Sequence, residues 1–301
     1  MTTSTSPSRH FPRPLAVSIA GLILVFNRPI LALARLSLES QLNSHVLLVP
    51  VISLFLIWLG RDALPPPSKP NRAVAALAFA GGLAALAGGG WRALRGHPEL
   101  GTALELAVIA MLLFAVGLCA WFLGRRTLRA IAFPLGFLVF TLPMPDGLAD
   151  KLNFLLQHAS APIAGFFFDV FGIPTFRTDF LIFRLPGITL EVAPECSGLN
   201  SSLALLIVSL PAGYLFLRSP WKRAALALVT IPLGIVRNGF RIFVIGELCV
   251  HYGPRMIDSY IHRTGGWMFF LLALVPFILI ILALARSERP APAKPAEKAN
   301  A

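Results

Sequence analysis

Apolar residues in this chain run in long unbroken blocks, and each block ends on a short polar or basic stretch. A bilayer core of roughly 30 Å is crossed by about 20 apolar residues in a helix. Windows of that size predict spans over residues 15–35, 43–60, 73–90, 102–124, 128–145, 195–217, 223–250 and 264–285. The expected fold is therefore an all-α polytopic membrane protein of about eight transmembrane helices, filling residues 15–285. It is flanked by a short N-terminal cytoplasmic tail, 1–14, and a C-terminal one, 286–301. The C-terminal tail is too rich in Pro, Ala and charge to bury apolar area and is expected to be disordered. The first block follows the basic stretch Ser6 to Pro14, has no convincing Ala-x-Ala cleavage site and continues to about Arg35, so it reads as a membrane helix and not as a removable leader.

Between the fifth and sixth spans lies the longest polar gap, Asp146 to Pro194. Its first part, "LNFLLQHASAPIAGFFFDVFGI", has an apolar stripe that fits an interfacial or re-entrant helix, and a ninth span there would invert everything before it. Its second part, "FLIFRLPGITLEVA", reads as two short β-rich runs around Pro186-Gly187, a pair suited to a type II turn. A small hairpin on the outer side is thus expected to lead directly into Cys196.

Charge distribution orients the spans. With the N-terminus inside, fifteen of the 26 Lys and Arg residues fall on inner segments, eight on outer ones, and Arg28, Arg237 and Arg241 within spans. That inward bias satisfies the positive-inside rule. The formal net charge of +12 is explained by topology, because basic residues scattered between apolar runs form no compact face for a phosphate backbone and so give no nucleic-acid site. Composition agrees with the class: 56% of residues are hydrophobic and 13% charged, and no internal repeat, G-x-G-x-x-G before a helix or P-loop occurs.

The three cysteines, Cys119, Cys196 and Cys249, are far apart and lack CxxC spacing, so neither a zinc site nor a disulfide framework is indicated. Cys119 lies inside "MLLFAVGLCAWFLG", where a small apolar packing role is the ordinary one. Cys196 is different: in "EVAPECSGLNSS" it stands where the sixth span begins. The expectation is a thiol in that helix's first turn, next to unpaired amides that lower a thiol pKa. The seventh span enters from Arg223, so Arg241 falls roughly 27 Å along it, near the outer interface, with Asn238 on the same face. His262 closes the short outer loop "HYGPRMIDSYIHRTGGW". Hydropathy and charge alone thus bring Cys196, Arg241 and His262 to one outer level of the membrane.

A charge within a span costs at least about 2.5 kcal/mol and is a functional candidate by default. A thiolate, an imidazole and a guanidinium suit acyl transfer without metal or other cofactor: attack on a carbonyl, proton transfer, and oxyanion stabilisation. Each residue also has an ordinary explanation. Cys196 could fill space, His262 could be solvated, and Arg241 could snorkel to headgroups. Arg237, one turn deeper, could be a second polar contact or a helix–helix hydrogen bond. Asn200, four residues after Cys196, could orient a substrate carbonyl or act with Ser201 as polar glue between spans. Glu195 would favour a helix N-terminus but oppose a lowered thiol pKa, and His251 and Cys249 lie near the same outer end.

Four pieces of the chain together carry a resemblance: "FPLGFLVFTLPMP" (133–145), "VAPECSGLNSS" (192–202), "VRNGFRI" (236–242) and "HRTGGWMFF" (262–270). In this order they resemble the exosortase/archaeosortase family of polytopic membrane transpeptidases. The resemblance implies a bacterial cytoplasmic-membrane cysteine peptidase with an outward-facing Cys196–Arg241–His262 site and no cofactor. Its partners would be exported proteins ending in a Pro-Glu-Pro motif, a membrane helix and a basic cluster, and an acceptor of unknown identity. Two other classes compete: a transporter, for which repeated halves and paired broken helices are missing, and a lipid-phosphate transferase, for which the outer loops offer no tight Asp/Glu cluster.

Overall fold

The computed structural model describes residues 12–96, 101–258 and 266–288. It is an all-α polytopic membrane protein with one small sheet. The helices are α1 (Arg13–Val25), α2 (Asn27–Glu39), α3 (Leu48–Gly60), α4 (Arg72–Ala85), α5 (Trp91–Leu94), α6 (Gly101–Ala130), α7 (Ala132–Phe137), α8 (Asp146–Val170), α9 (Leu199–Phe216), α10 (Pro220–Tyr252) and α11 (Gly266–Arg286). Strands β1 (Phe176–Asp179), β2 (Ile182–Leu185) and β3 (Ile188–Glu191) form an antiparallel sheet in that order. Many large apolar side chains, among them Leu54, Leu77, Phe166, Leu271 and Leu279, are exposed, as on a surface solvated by lipid.

The chain divides into two compact units, residues 1–145 and 146–301. Among the described residues, five helical segments are long and apolar enough to cross a membrane, or seven if each of two bent helix pairs forms one span. The shortfall from eight has local causes. The block over 43–60 opens with turns, and the helix it contains has 13 residues, about 20 Å and too short to cross alone. The first block bends by 68° between α1 and α2. The block over 128–145 is cut short: α7 has six residues and passes into a 3-10 turn, Leu138–Thr141, ahead of Pro143 and Pro145.

In the first unit α4 packs on α6. The loop before α4 is tied to α6 by backbone bonds from the amide of Ser68 to the carbonyl of Leu123 and from Asn71 to Ala120, both 3.0 Å, while Thr127 donates to the Pro65 carbonyl. The Asn71 side chain accepts from the amide of Val74 and caps α4.

The second unit is built on α10, whose 33 residues extend for about 50 Å. Its Gly239 and Gly246 lie against α8: a Cβ there would come within 2.6 Å of Ile163 and of Phe168. Small residues seven apart let the two helices approach closely, as in other membrane helix pairs. Phe168 of α8, Phe183 of β2 and Phe243 of α10 interlock, with ring centroids 5.4 to 5.6 Å apart. Phe168 and Phe183 are completely buried, each worth about 1.5–3 kcal/mol. This cluster fastens the sheet to α8 and α10. The two expected β-runs are β2 and β3, joined at Pro186-Gly187 with Gly187 at φ 78° as a type II turn needs. β1 is an addition: Phe176–Asp179 carries only exposed side chains and shows no alternation to read.

At the far end of α10, Ser219 begins the helix without a side-chain cap of its own. Glu288, just past α11, takes that place, accepting from the amides of Arg218 at 2.7 Å and Ser219 at 2.9 Å, with Lys222 3.8 Å away. Those amides hold the Glu288 carboxyl below the usual carboxylate value. A carboxyl whose folded pKa is depressed adds stability that is full above its unfolded value and is lost as pH falls through the folded one. Thermal unfolding of detergent-solubilised protein should therefore show an acid-side loss below about pH 4.5 that Glu288→Gln removes, with the variant less stable than wild type at neutral pH. A variant with wild-type stability at both ends of that pH range would refute the latch.

Candidate active site

Cys196 is delivered by the sheet. The Val192 amide donates to the Leu181 carbonyl at 2.9 Å, and the Val192 carbonyl accepts from Gln157 Nε2 of α8 at 2.8 Å. Pro194 to Cys196 then form a single 3-10 turn, with the Cys196 amide on the Ala193 carbonyl at 2.8 Å. Cys196 is half-buried, whereas Cys119 and Cys249 are buried.

Here the expected geometry changes. α9 starts at Leu199, after Ser197 and a left-handed Gly198 with φ 77° and ψ 14°. The thiol therefore precedes the helix and does not sit in its first turn. The reason is chemical: Gly198 adopts a left-handed conformation that costs other residues about 1–2 kcal/mol, and it ends the 3-10 turn before the α-helix starts. The amide of Leu199 bonds the Ser197 hydroxyl at 3.2 Å, so one donor that the helix N-terminus could have offered a thiolate is occupied.

Two helices grip this turn. Ser197 Oγ donates to Asn153 Oδ1 of α8 at 2.6 Å. Asn238 Nδ2 of α10 donates to the Cys196 carbonyl at 2.8 Å, and Arg237 Nη2 donates to the Gly198 carbonyl at 3.2 Å. Both α10 residues are almost wholly buried, at 5% exposure for Arg237 and 1% for Asn238. Arg237 Nε and Nη1 and Asn238 Oδ1 find no hydrogen-bond partner among the described residues. A guanidinium in such surroundings carries a large desolvation cost. It lies one turn from Arg241, so this part of α10 carries two guanidinium groups close together.

Arg241 is partly buried and adjoins Ile242, which lines a cavity of about 270 Å³ with Ile245, Cys196 and the β3 residues Thr189 to Ala193. The fold thus places Asn238 on the Cys196 carbonyl and Arg237 on the Gly198 carbonyl, and sets Arg241 next along the same helix. For Asn200 the helical relation to Cys196 changes. The relation of four residues assumed one continuous helix, but Gly198 intervenes and Asn200 stands exposed as the second residue of α9. His262 and the side chain of Glu195 lie outside the described residues. His251 pairs with Glu247, Nδ1 to Oε1 at 3.1 Å. Among the described residues no three His, Cys, Asp or Glu side chains group to hold a metal ion.

Reading the sequence passed over Asn153, Gln157 and Ser197. The first two are polar positions on a helix that carries no motif, and each reaches a partner 35 or 44 residues away. Only Ser197, beside the cysteine and before a glycine, carried a signal, that of an N-terminal capping residue.

No curated protein and no solved structure matches the chain. Residues 37–279, most of the chain and all of the stretch that builds the cysteine turn and its helical supports, match the family described as transmembrane exosortase, Exosortase_EpsH. The chain belongs to the transmembrane exosortase family.

Proposed function

We propose that this exosortase is a cysteine transpeptidase of the bacterial cytoplasmic membrane, with its site open to the outer side. It cleaves the C-terminal sorting signal of exported proteins, a Pro-Glu-Pro motif followed by a membrane helix and a basic tail, and passes the acyl group to an acceptor. The observation that carries this is the anchoring of Cys196: its own carbonyl is fixed by a buried asparagine of α10, one helical turn from Arg241, at the edge of a cavity. A packing cysteine needs no such support.

Each step has a residue. The Cys196 thiolate attacks the scissile carbonyl carbon, forming the C–S bond, and the carbonyl oxygen takes the negative charge beside Arg241. Because α9 begins after the thiol, the cation and not the helix terminus is the stronger stabiliser of both thiolate and oxyanion. His262 accepts the thiol proton and returns it to the leaving amine as the C–N bond breaks. The thioester is then attacked by the acceptor, which gives its proton to His262 and restores the thiol. Arg237 and Asn238 hold the turn that aims Sγ. A substrate helix lying beside α9 to α11 would keep its basic tail inside, in accord with the charge bias that orients this chain.

Mass spectrometry of enzyme incubated with such a tripartite substrate tests the scheme. Cys196 should gain the mass of the cleaved N-terminal fragment, and hydroxylamine should remove it. Arg241→Ala should slow the gain by about 10²–10³-fold, the loss typical of an oxyanion donor. A His262→Ala enzyme that accumulates the thioester at the wild-type rate would exclude His262 as the base for acylation. No adduct on Cys196 in any enzyme would sink the transpeptidase reading.

A further inference from the structure

β3 has one paired edge and one open one. In an antiparallel ladder the N–H and C=O of a residue point to the same edge, and the edge alternates with each residue. The Val192 amide is on the β2 side, bonded to Leu181, and the register Phe183↔Leu190 and Leu185↔Ile188 places residues 188, 190 and 192 there together. Thr189 and Glu191 therefore present their backbone groups to the opposite edge. The Glu191 carbonyl is taken by the Ala193 amide at 3.1 Å. The N–H and C=O of Thr189 and the N–H of Glu191 have no backbone partner among the described residues. Among the described residues no strand pairs with them, because β3 ends the sheet order.

This edge borders the cavity that holds Cys196. Residues Thr189 to Ala193 line it together with Cys196 and with Ile242 and Ile245 of α10. Leu190 is buried in the aromatic cluster, which keeps the strand rigid, while the Thr189 and Glu191 side chains are exposed. β1 is also an edge strand, but it does not line this cavity.

We propose that the open edge of β3 is the cradle for the scissile segment, which binds as an added strand with its backbone paired to Thr189 and Glu191 and so presents a carbonyl to Cys196. This rests on Cys196 being the nucleophile and adds how the substrate is held. The occupant follows from the chemistry of the edge. Two N–H groups and one C=O, two residues apart along a strand and so about 7 Å in spacing, are matched by extended peptide backbone. A lipid tail has no such groups, and a helix has already bonded its own. Strand addition takes affinity from the main chain and leaves side chains to set selectivity. Sequence-tolerant holding of many exported proteins through one short motif is what such a cradle would provide.

A reactive peptide reads the cradle directly. Acetyl-tetra-alanine chloromethyl ketone alkylates a thiol by displacement: the C–S bond forms, the C–Cl bond breaks, chloride leaves and the thiol proton goes to solvent. The full-length enzyme in detergent is treated with this reagent and with analogues carrying a single N-methyl group at successive amides. Labelling of Cys196 should slow by about tenfold, the value of one lost hydrogen bond, for amides of one parity and stay unchanged for the intervening ones. Thr189→Pro should slow the parent reagent by a similar factor. It removes an N–H at the open edge, leaves the ladder to β2 intact and sits where an edge strand tolerates proline. Iodoacetamide, which has no backbone to pair, should label wild type and Thr189→Pro alike.

Equal rates for all the methylated reagents, or slowing that ignores parity, overturns the cradle while leaving the nucleophile in place. A disulfide-linked dimer of Thr189→Cys would assign the edge to a second copy of the chain and overturn it as well. A Cys196 that reacts with none of the reagents, iodoacetamide included, overturns the nucleophile and the cradle together.

Discussion

Replacing Cys196 by alanine leaves an exosortase that inserts, folds and processes nothing. The change removes a single sulfur atom from a half-buried side chain. The supports of its turn are untouched: Asn238 still donates to the backbone carbonyl of residue 196, the amide still bonds Ala193, and Ser197 still reaches Asn153. The stability cost should stay within about 1 kcal/mol, the range of substitutions that break no network. The chemical cost is of another order. Without a nucleophile there is no thioester, and removal of a covalent nucleophile typically costs about 10⁴–10⁶-fold in rate. Pulse labelling of a tripartite substrate in cells carrying only the variant should show the unprocessed precursor alone, and the purified variant should unfold within a few degrees of wild type. Cys119→Ala and Cys249→Ala supply the comparison, since both thiols are buried away from the cavity and their loss should leave processing intact. Unchanged processing by Cys196→Ala would end the proposal.

Much of this was legible in the sequence because membrane solvation imposes a strong pattern. Apolar blocks gave α4, α6, α9, α10 and α11 to within a few residues, and Pro186-Gly187 between β-rich runs gave β2 and β3. What failed was anything decided by a single backbone angle or by distant contacts. Gly198 looked like one of several small residues in "CSGLNSS", yet its positive φ moves the start of α9 past the thiol, so that Cys196 and Asn200 do not share one helix. The polar stripe of α10 was read as an arginine with an asparagine on its face. In the folded chain the asparagine and the deeper arginine each place one donor on the backbone of the cysteine turn. Hydropathy carries no information on such bonds, because the same buried Asn could as well have linked two helices. The count of eight is not reached among the described residues for a related reason: a window of apolar residues registers burial in lipid but not the prolines and turns that break a helix within it.

Gly198→Ala should be nearly as damaging as loss of the thiol, by a wholly structural route. At φ 77° an alanine pays about 1–2 kcal/mol for its backbone conformation alone. Its Cβ would then lie 2.6 Å from Asn238 Oδ1 and 2.9 Å from Arg237 Nη2, distances at which something must move. The groups that would have to move are the two that hold the turn. If α10 gives way, the Cys196 carbonyl loses Asn238 and the Gly198 carbonyl loses Arg237, whose buried charge would then lack its one hydrogen bond among the described residues. Breaking the partner of a buried charge costs about 3–5 kcal/mol, so relief by local unwinding is the cheaper course, and it displaces Sγ from the cavity. The expected result is destabilisation of about 2–4 kcal/mol and a fall in processing of 10²-fold or more, the price of misplacing a reacting group by about 1 Å. Gly213→Ala, inside α9, is the control: its Cβ would meet nothing closer than 3.6 Å, and alanine in a helix interior is favoured by roughly 0.5–1 kcal/mol. Thermal unfolding and substrate processing measured side by side should separate the two. If Gly198→Ala matches Gly213→Ala in both, Arg237 and Asn238 do not hold the cysteine turn in place.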